Sequence, residues 1–476
     1  VASEVFPFSK TGGLADMVGA MAAALAARGH AVTVVTPLYR QVDRTRWDLR
    51  PVPHRAVALF PWGPVFADLK EARLGGARVL FVDQPAYFGR DHMYDPPGGS
   101  YWDNGERFAF FCWAALDALV GAGERIDVLH VHDWQAAMVP YFRRAMTQSQ
   151  VREARVVLTI HNLAHQGNFP PWSLDLLGPD AQRDYGAGVL EFHGAVGYLK
   201  TGAIYSDRIT TVSPTYAREI LTPRFGCGMD AVLRMREPYL RGILNGADYG
   251  VWDPSVDRYI PARYTVHNRK PKAVCKVELQ KRIGLPADAE APLIGMVGRL
   301  THQKGWDLLA AALERLCGMG AQLAILGAGD PHYEGVLRWA RDRFGDRVGV
   351  WFGYDEEIAH WIEAGADMFL MPSLYEPCGL NQIYSLRYGT IPIVHAVGGL
   401  EDTVDQVDEK GGGGTGFKFW DYTPEAMLGA VEFALRIFRD RRAWRALMGR
   451  AMARNFSWDA AAEQYETLFR ETLAAS

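Results

Sequence analysis

Short β-branched apolar runs alternate along this chain with longer segments whose apolar residues recur every three or four positions. That is the pattern of a parallel sheet wound with helices. In the first half, residues 31–36, Val128–His132, 156–161 and 208–212 predict strands leading into loops, and residues 1–5 read as the end of another. Helices are expected at 13–28, 104–120 and 134–144. Residues 56–83 instead alternate in short strands broken by Gly and Pro, which predicts an antiparallel excursion. The rhythm pauses after Asn245 and then restarts, with strands expected at Leu293–Val297, 322–326, Val348–Phe352, 367–371 and 391–394. The closing segment 458–473 carries Trp458, Ala461, Tyr465, Leu468 and Phe469 on one helical face, suited to docking. Gly411 to Gly414 predicts a mobile surface loop.

The expected fold class is therefore α/β, with two Rossmann-like doubly wound domains. The first spans 1–244 and is joined by the C-terminal helix 457–476; the second spans 245–456. Two such domains imply a cleft lined by loops at the carboxyl ends of both sheets, where ligands are expected. The length of 476 residues agrees with two or three domains. With 49% hydrophobic and 22% charged residues, a disordered chain is excluded. Lys plus Arg against Asp plus Glu gives 51 − 55 = −4, so no general basic field exists to hold nucleic acid or an anionic membrane, and neither partner is expected. The apolar stretch 20–35 is interrupted by Arg28, Gly29 and His30 and is too short to span a bilayer. Five widely spaced cysteines without a Cys-x-x-Cys pair suggest thiols in a reducing cytoplasm and no zinc site.

Candidate chemistry gathers where strands end. Lys10, Thr11, Gly12 and Gly13 open the first helix. Glycines at a helix N-terminus let a phosphate approach the free N–H groups, and Lys10 adds a compact charge. His130 and His132 share one strand face, Asp133 can orient a hydroxyl, and Trp134 can offer an apolar face to a sugar ring. His161 and Asn162 close the next strand. In the second half Arg299 and Lys304 flank one loop, where a fork-shaped and a point-like cation would neutralise an anion. This loop lacks the Walker order, and Gly327-Ala-Gly329-Asp330 lacks the third glycine of a dinucleotide fingerprint, so it reads as a plain turn. Glu376, Cys378 and Gly379 converge before a helix, suited to sugar hydroxyls and a phosphate together. Tyr354, after another strand, can stack on a base.

Together these residues resemble the bacterial glycogen synthases and plant starch synthases. The resemblance rests on Lys10-Thr-Gly-Gly-Leu-Ala-Asp16, His132-Asp133-Trp134, His161-Asn162-Leu163, Asn245-Gly246, Gly298-Arg299-Leu300 with Lys304-Gly305, Gly353-Tyr354-Asp355, Glu376-Pro-Cys-Gly-Leu380 and Gly398-Gly399-Leu400, in order over nearly the whole chain. It implies the GT-B fold and retaining transfer of glucose from ADP-glucose to the non-reducing 4-hydroxyl end of an α-1,4-glucan. The implied partners are the nucleotide-sugar donor and a glycogen or malto-oligosaccharide acceptor. ADP-glucose is then a substrate, with no cofactor and no metal. By the same resemblance the catalytic set is Lys10, Asp133, His161, Arg299, Lys304 and Glu376. Lys10, Gly12 and Gly13 would meet the donor phosphates, Arg299 and Lys304 the departing diphosphate, His161 and Glu376 the donor sugar, and Tyr354 the adenine. Asn245, Cys378, Gly379 and Leu380 complete the donor-binding set, and Asp133 with Trp134 lies on the acceptor side.

The chain departs from the family pattern at Asn381, where many relatives have Thr, and from other GT-B transferases at Tyr384, which takes the second place of a Glu-x₇-Glu pair. The rival readings are a GT-B transferase using UDP-glucose or another acceptor, and a catalytically silent glucan-binding protein. Against the second, all six catalytic positions are filled.

Overall fold

The computed structural model describes residues 1–96, 99–123 and 125–475; Ser476, the last position of the expected closing helix, lies outside them. Contacts divide the chain into one unit of Val1–Val212, Ala217–Gly246 and Trp458–Ser476 and another of Ser213–Tyr216 and Ala247–Ser457. The short segment joins the second unit because Ser213 Oγ donates to the Pro377 carbonyl at 2.6 Å and Thr215 donates through N and Oγ1 to Asp402 at 2.7 Å.

In the first unit β1 (Thr33–Pro37) is followed by β2 (Arg50–Phe60), β3 (Gly63–Leu74) and β4 (Ala77–Asp83). Their order is β1-β4-β3-β2, with β1 parallel to β4 and the other pairs antiparallel. The excursion read from the alternation is thus present and begins earlier, at Arg50. Next come β5 (Val128–His132) and β6 (Arg155–Ile160), a small antiparallel set of β7 (Asn168–Phe169), β8 (Glu191–Phe192) and β9 (Ala195–Gly197), then β10 (Arg208–Thr211) and β11 (Leu240–Gly242). A fully parallel sheet runs β11-β10-β6-β5. Residues 1–5 form no full strand. The Ala2 N–H donates to Val35 and the His132 N–H to Val1, after which Phe8 and Ser9 close a turn on the Val5 carbonyl.

Helix Asn104–Gly121 buries Phe108, Phe110, Phe111 and Leu116 completely, an apolar face wide enough to anchor this unit. The helix expected at 134–144 is instead two short ones, Asp133–Ala136 and Val139–Arg143. Pro140 lacks an N–H and its ring would collide with the carbonyl of residue 136, so one continuous helix is disallowed. Helix Trp458–Ala474 buries Trp458, Ala461, Tyr465 and Leu468. Its Glu466 receives Arg28 at 2.9 Å and His30 at 2.8 Å from the end of helix Gly13–Ala27.

The second unit holds β12 (Leu293–Val297), β13 (Gln322–Gly327), β14 (Val348–Phe352), β15 (Met368–Met371), β16 (Ile391–His395) and β17 (Phe417–Phe419). All neighbours are parallel, in the order β14-β13-β12-β15-β16-β17. The chain therefore builds outward from β12 in one direction and then from β15 in the other. Their junction is a topological switch point, where the loops leaving both strands open a crevice. Both faces of the sheet are covered by apolar residues, which explains strands as uniformly buried as Gln322–Gly327. The glycine run 411–414 is tied down, because Arg450 donates to the carbonyls of Gly411, Gly413 and Gly414. Among the described residues no helix is long and apolar enough to cross a membrane.

Candidate active site

At the switch point of the second unit, the loops after β12 and β15 lie side by side. Lys304 Nζ is 2.6 Å from Glu376 Oε2, with Glu376 buried and Lys304 a quarter exposed. Ser373 Oγ donates to the same carboxylate oxygen at 3.1 Å, and the Leu374 N–H donates to the Gln303 carbonyl at 2.9 Å. Two residues far apart in sequence thus form one charge-assisted pair. Gly305 makes the approach possible: its φ is 75°, and a Cβ there would stand 1.9 Å from the Pro372 carbonyl oxygen. Arg299 is exposed and makes no ion pair among the described residues, while its carbonyl accepts the Trp306 indole N–H at 2.8 Å. Its backbone is anchored and its guanidinium is available to an anion.

Cys378 is buried, and Leu380 precedes helix Asn381–Tyr388. A Cβ at Gly398 would lie 2.0 Å from the Glu376 carbonyl oxygen, and one at Gly399 would lie 2.0 Å from that of Cys378. These glycines let the Gly399 N–H donate to Glu376 at 3.0 Å, so the turn carrying the carboxylate rests on another helix start. Asn381 spends its side-chain N–H on the Val297 carbonyl at 2.9 Å, which ties its helix to the end of β12. Tyr384 stacks on Trp252 at 4.2 Å, and Trp252 stacks on His360 at 3.7 Å. A second glutamate at position 384 would replace that ring stack with a buried charge. Tyr354 is 84% exposed and follows Gly353, whose φ is 111°.

In the first unit, the N-cap of helix Gly13–Ala27 is Gly12, which has no side chain to cap it, so the helix start suits an external acceptor. A Cβ at Gly12 or Gly13 would meet nothing within 4 Å, so internal packing does not demand glycine at either position. Thr11 is gripped by Glu4, to which it donates through its backbone and, at 2.6 Å, through Oγ1. Lys10 lies 2.8 Å from Asp16 Oδ1 and is 41% exposed. Asn245 is buried, and its Oδ1 has no hydrogen-bond partner among the described residues.

Parallel pairing brings the ends of β5 and β6 together, with His132 opposite Thr159. His132 Nδ1 lies 3.2 Å from His161 Nε2, and the His161 N–H donates to Asp133 Oδ1 at 2.7 Å. Asp133 adopts a left-handed φ of 54° that aims its carboxylate at this turn. Trp134 packs edge-on to Phe108 at 5.0 Å and lies near Phe169 at 5.5 Å. Burial pushes the Asp133 carboxyl up to about 7, opposed by backbone N–H donors at His161 and Asn162. Burial depresses His161 to about 3 and holds His130 and His132 well below the usual histidine range.

These shifts set an acid limit. The unfolded histidines take up protons below pH ~6.5 while the folded ones do not, so stability falls as pH drops, by about 1.4 kcal/mol per pH unit for each excess proton. Asp133 acts oppositely, since the folded carboxyl keeps its proton up to about 7. Three histidines outweigh one carboxyl. The melting temperature is expected to fall between about pH 7 and about pH 5, and less steeply in His132→Asn. Equal slopes in the two proteins would show that the cluster does not control the effect.

The structure pairs Lys304 with Glu376 and Asp133 with His161, and keeps Lys10 with Asp16. Sequence reasoning missed Glu4 and Ser373, which belong to no motif, and the grip of His132 on His161. Only the alternation that put His130 and His132 on one face hinted at the last.

Two units, each with a parallel sheet, and a cationic loop at the switch point of the second are the architecture expected of the GT-B class. A family model described as the starch synthase catalytic domain matches residues 1–235, and one described as glycosyl transferases group 1 matches residues 278–446. The chain is 51% identical to the glycogen synthase of Anaeromyxobacter sp. (strain Fw109-5), covering 100% of this chain and 99% of that one. It is 44% identical to the glycogen synthase of Koribacter versatilis, covering 99% and 97%. Among solved structures it is similar to the catalytic domain of starch synthase IV from Arabidopsis thaliana, bound to ADP and acarbose, with a TM-score of 0.90, 31% identity and coverage of 99% and 98%. Sucrose-phosphate synthase from Thermosynechococcus elongatus shares the fold alone, with a TM-score of 0.60, 21% identity and coverage of 98% and 95%. The chain belongs to the glycogen and starch synthase family.

Proposed function

We propose that the protein transfers glucose from ADP-glucose to the non-reducing 4-hydroxyl of an α-1,4-glucan such as glycogen or a malto-oligosaccharide, with retention at the anomeric carbon. The observation that carries this reading is the Lys304–Glu376 pair joining the loops after β12 and β15 at the switch point, with Arg299 on the same loop as Lys304. Breaking the sugar–phosphate bond builds negative charge on the departing diphosphate and positive charge on the glucosyl group. Arg299 and Lys304 meet the first, and the Glu376 carboxylate lies beside the second while holding donor hydroxyls. The neutralising charge comes from these two side chains, so the proposed transfer uses neither metal nor resident cofactor. Cys378, Gly379 and Leu380 shape the sugar and phosphate floor, and the exposed ring of Tyr354 stacks on adenine.

In the first unit, the Lys10 loop with Gly12 and Gly13 offers N–H groups to phosphate, and buried Asn245 keeps an oxygen for a donor hydroxyl. His161 contacts the donor sugar; Asp133 and Trp134 serve the acceptor. The Asp133 carboxyl already accepts the His161 N–H, which disfavours it as a nucleophile. Retention then proceeds by front-face displacement, with the leaving phosphate taking the acceptor's proton. The ADP-bound starch synthase neighbour supports the adenine base, and thiol chemistry supports work in the cytoplasm.

The test is incorporation of labelled glucose into glycogen. ADP-glucose is expected to exceed UDP-glucose by about tenfold or more, the discrimination of ~1.4 kcal/mol that one base-specific contact supplies. No incorporation from either donor would sink the proposal, and a trapped glucosyl ester on Glu376 or Asp133 would overturn the front-face route.

A further inference from the structure

The His132-Asp133-Trp134 motif contains one group that the proposed reaction leaves unused. His132 is 2% exposed, and its Nδ1 lies 3.2 Å from Nε2 of His161. The next residue, Asp133, takes the His161 main-chain N–H. Two consecutive residues at the end of β5 therefore hold one residue at the end of β6, the first by its ring and the second by its backbone. Behind them the His130 ring lies 4.2 Å from that of His132, and its Nε2 is 2.6 Å from Thr159 Oγ1, which blocks an inward swing of His132. The ring of His161 makes its one hydrogen bond among the described residues through Nε2, which leaves Nδ1 of this half-buried residue to a ligand.

A hydrogen bond between two neutral imidazoles determines which nitrogen carries each proton. We propose that His132 is a positioning residue: its Nδ1 accepts the Nε2–H of His161 and so holds His161 as one neutral tautomer, whose bare Nδ1 accepts a hydroxyl hydrogen of the donor sugar. This rests on the reading of His161 as a contact of that sugar. The direction of the bond follows from the charge that develops. The glucosyl group becomes cationic, and a lone pair facing its hydroxyls favours that state where a ring N–H would oppose it.

Nitrogen-15 NMR of the full chain labelled at histidine, near neutral pH, tests the tautomer without any variant at position 132. The His161 signals, assigned by their loss in His161→Gln, are expected to show one neutral form protonated at Nε2. Protonation at Nδ1, or an even mixture, overturns the proposal. Kinetics test the consequence. His132→Leu is expected to lower kcat about tenfold or more, with the KM for ADP-glucose little changed, because a misoriented contact is felt in the transition state. His132→Asn can offer Oδ1 where Nδ1 stood and is expected to recover most of that loss. In a His161→Gln background, His132→Leu should add nothing. Equal losses in the Leu and Asn variants, or full additivity with His161→Gln, would reduce His132 to packing and overturn the proposal. Full activity of His161→Gln alone would instead remove the sugar contact, and the tautomer would then stand or fall on the NMR.

Discussion

Lys304→Ala is expected to lower kcat by about 10²–10³ with a much smaller change in the KM for ADP-glucose. A pre-oriented cation is worth most where charge develops on the leaving group, and losing one such donor typically costs ~3–4 kcal/mol of barrier. The substitution also strands Glu376, whose side chain is only 7% exposed. Removing one partner of a buried pair costs ~3–5 kcal/mol of stability, and the quarter-exposed lysine puts the expected value near the lower end. The two effects separate in Lys304→Ala/Glu376→Gln, which relieves the stranded charge without restoring the cation. Its melting temperature should recover, while kcat stays low because both the cation and the Glu376 carboxylate are gone. Proportionate loss of donor binding and turnover in Lys304→Ala would contradict a role centred on the transition state.

Gly398→Ala is expected to abolish folding or to cost more than ~4 kcal/mol. Its Cβ would stand 2.0 Å from the Glu376 carbonyl oxygen at a φ of 46°, so a rigid backbone clash is added to left-handed strain. Gly399→Ala meets the Cys378 carbonyl at the same distance. Gly13→Ala provides the contrast. Nothing lies within 4 Å of its Cβ, so stability should hold or rise by ~0.4–1 kcal/mol, while donor affinity falls if the glycine serves an approaching phosphate. Thermal unfolding of the three variants checks the first claim and ligand-induced stabilisation checks the second. A stable Gly398→Ala protein would show that this backbone approach is not required.

The two glycine positions show why equal residues in a sequence carry unequal meaning. Gly12 and Gly13 could be singled out because they open a helix after a lysine, a local pattern. Gly398 and Gly399 lie more than twenty residues from the carbonyls they must pass, and no local pattern announces that distance. Asn381 is a similar case. In sequence it is only a departure from the family's Thr, and in the fold its amide closes on the end of β12. The expected helix 134–144 followed amphipathic spacing, which runs through Pro140, and so missed the break there.

The sequence by itself determined the alternation of strands and helices, the restart after Asn245 that announces a second sheet, and the family, because periodicity, turn residues and ordered motifs are local properties of the chain. Tertiary structure alone decided the partners. Lys304 meets Glu376 because the strand order reverses between β12 and β15, and His161 is held by His132 and Asp133 because β5 and β6 pair in one register. Contacts of that kind join residues tens of positions apart, and sheet order and register arise from packing the whole domain rather than from any one segment.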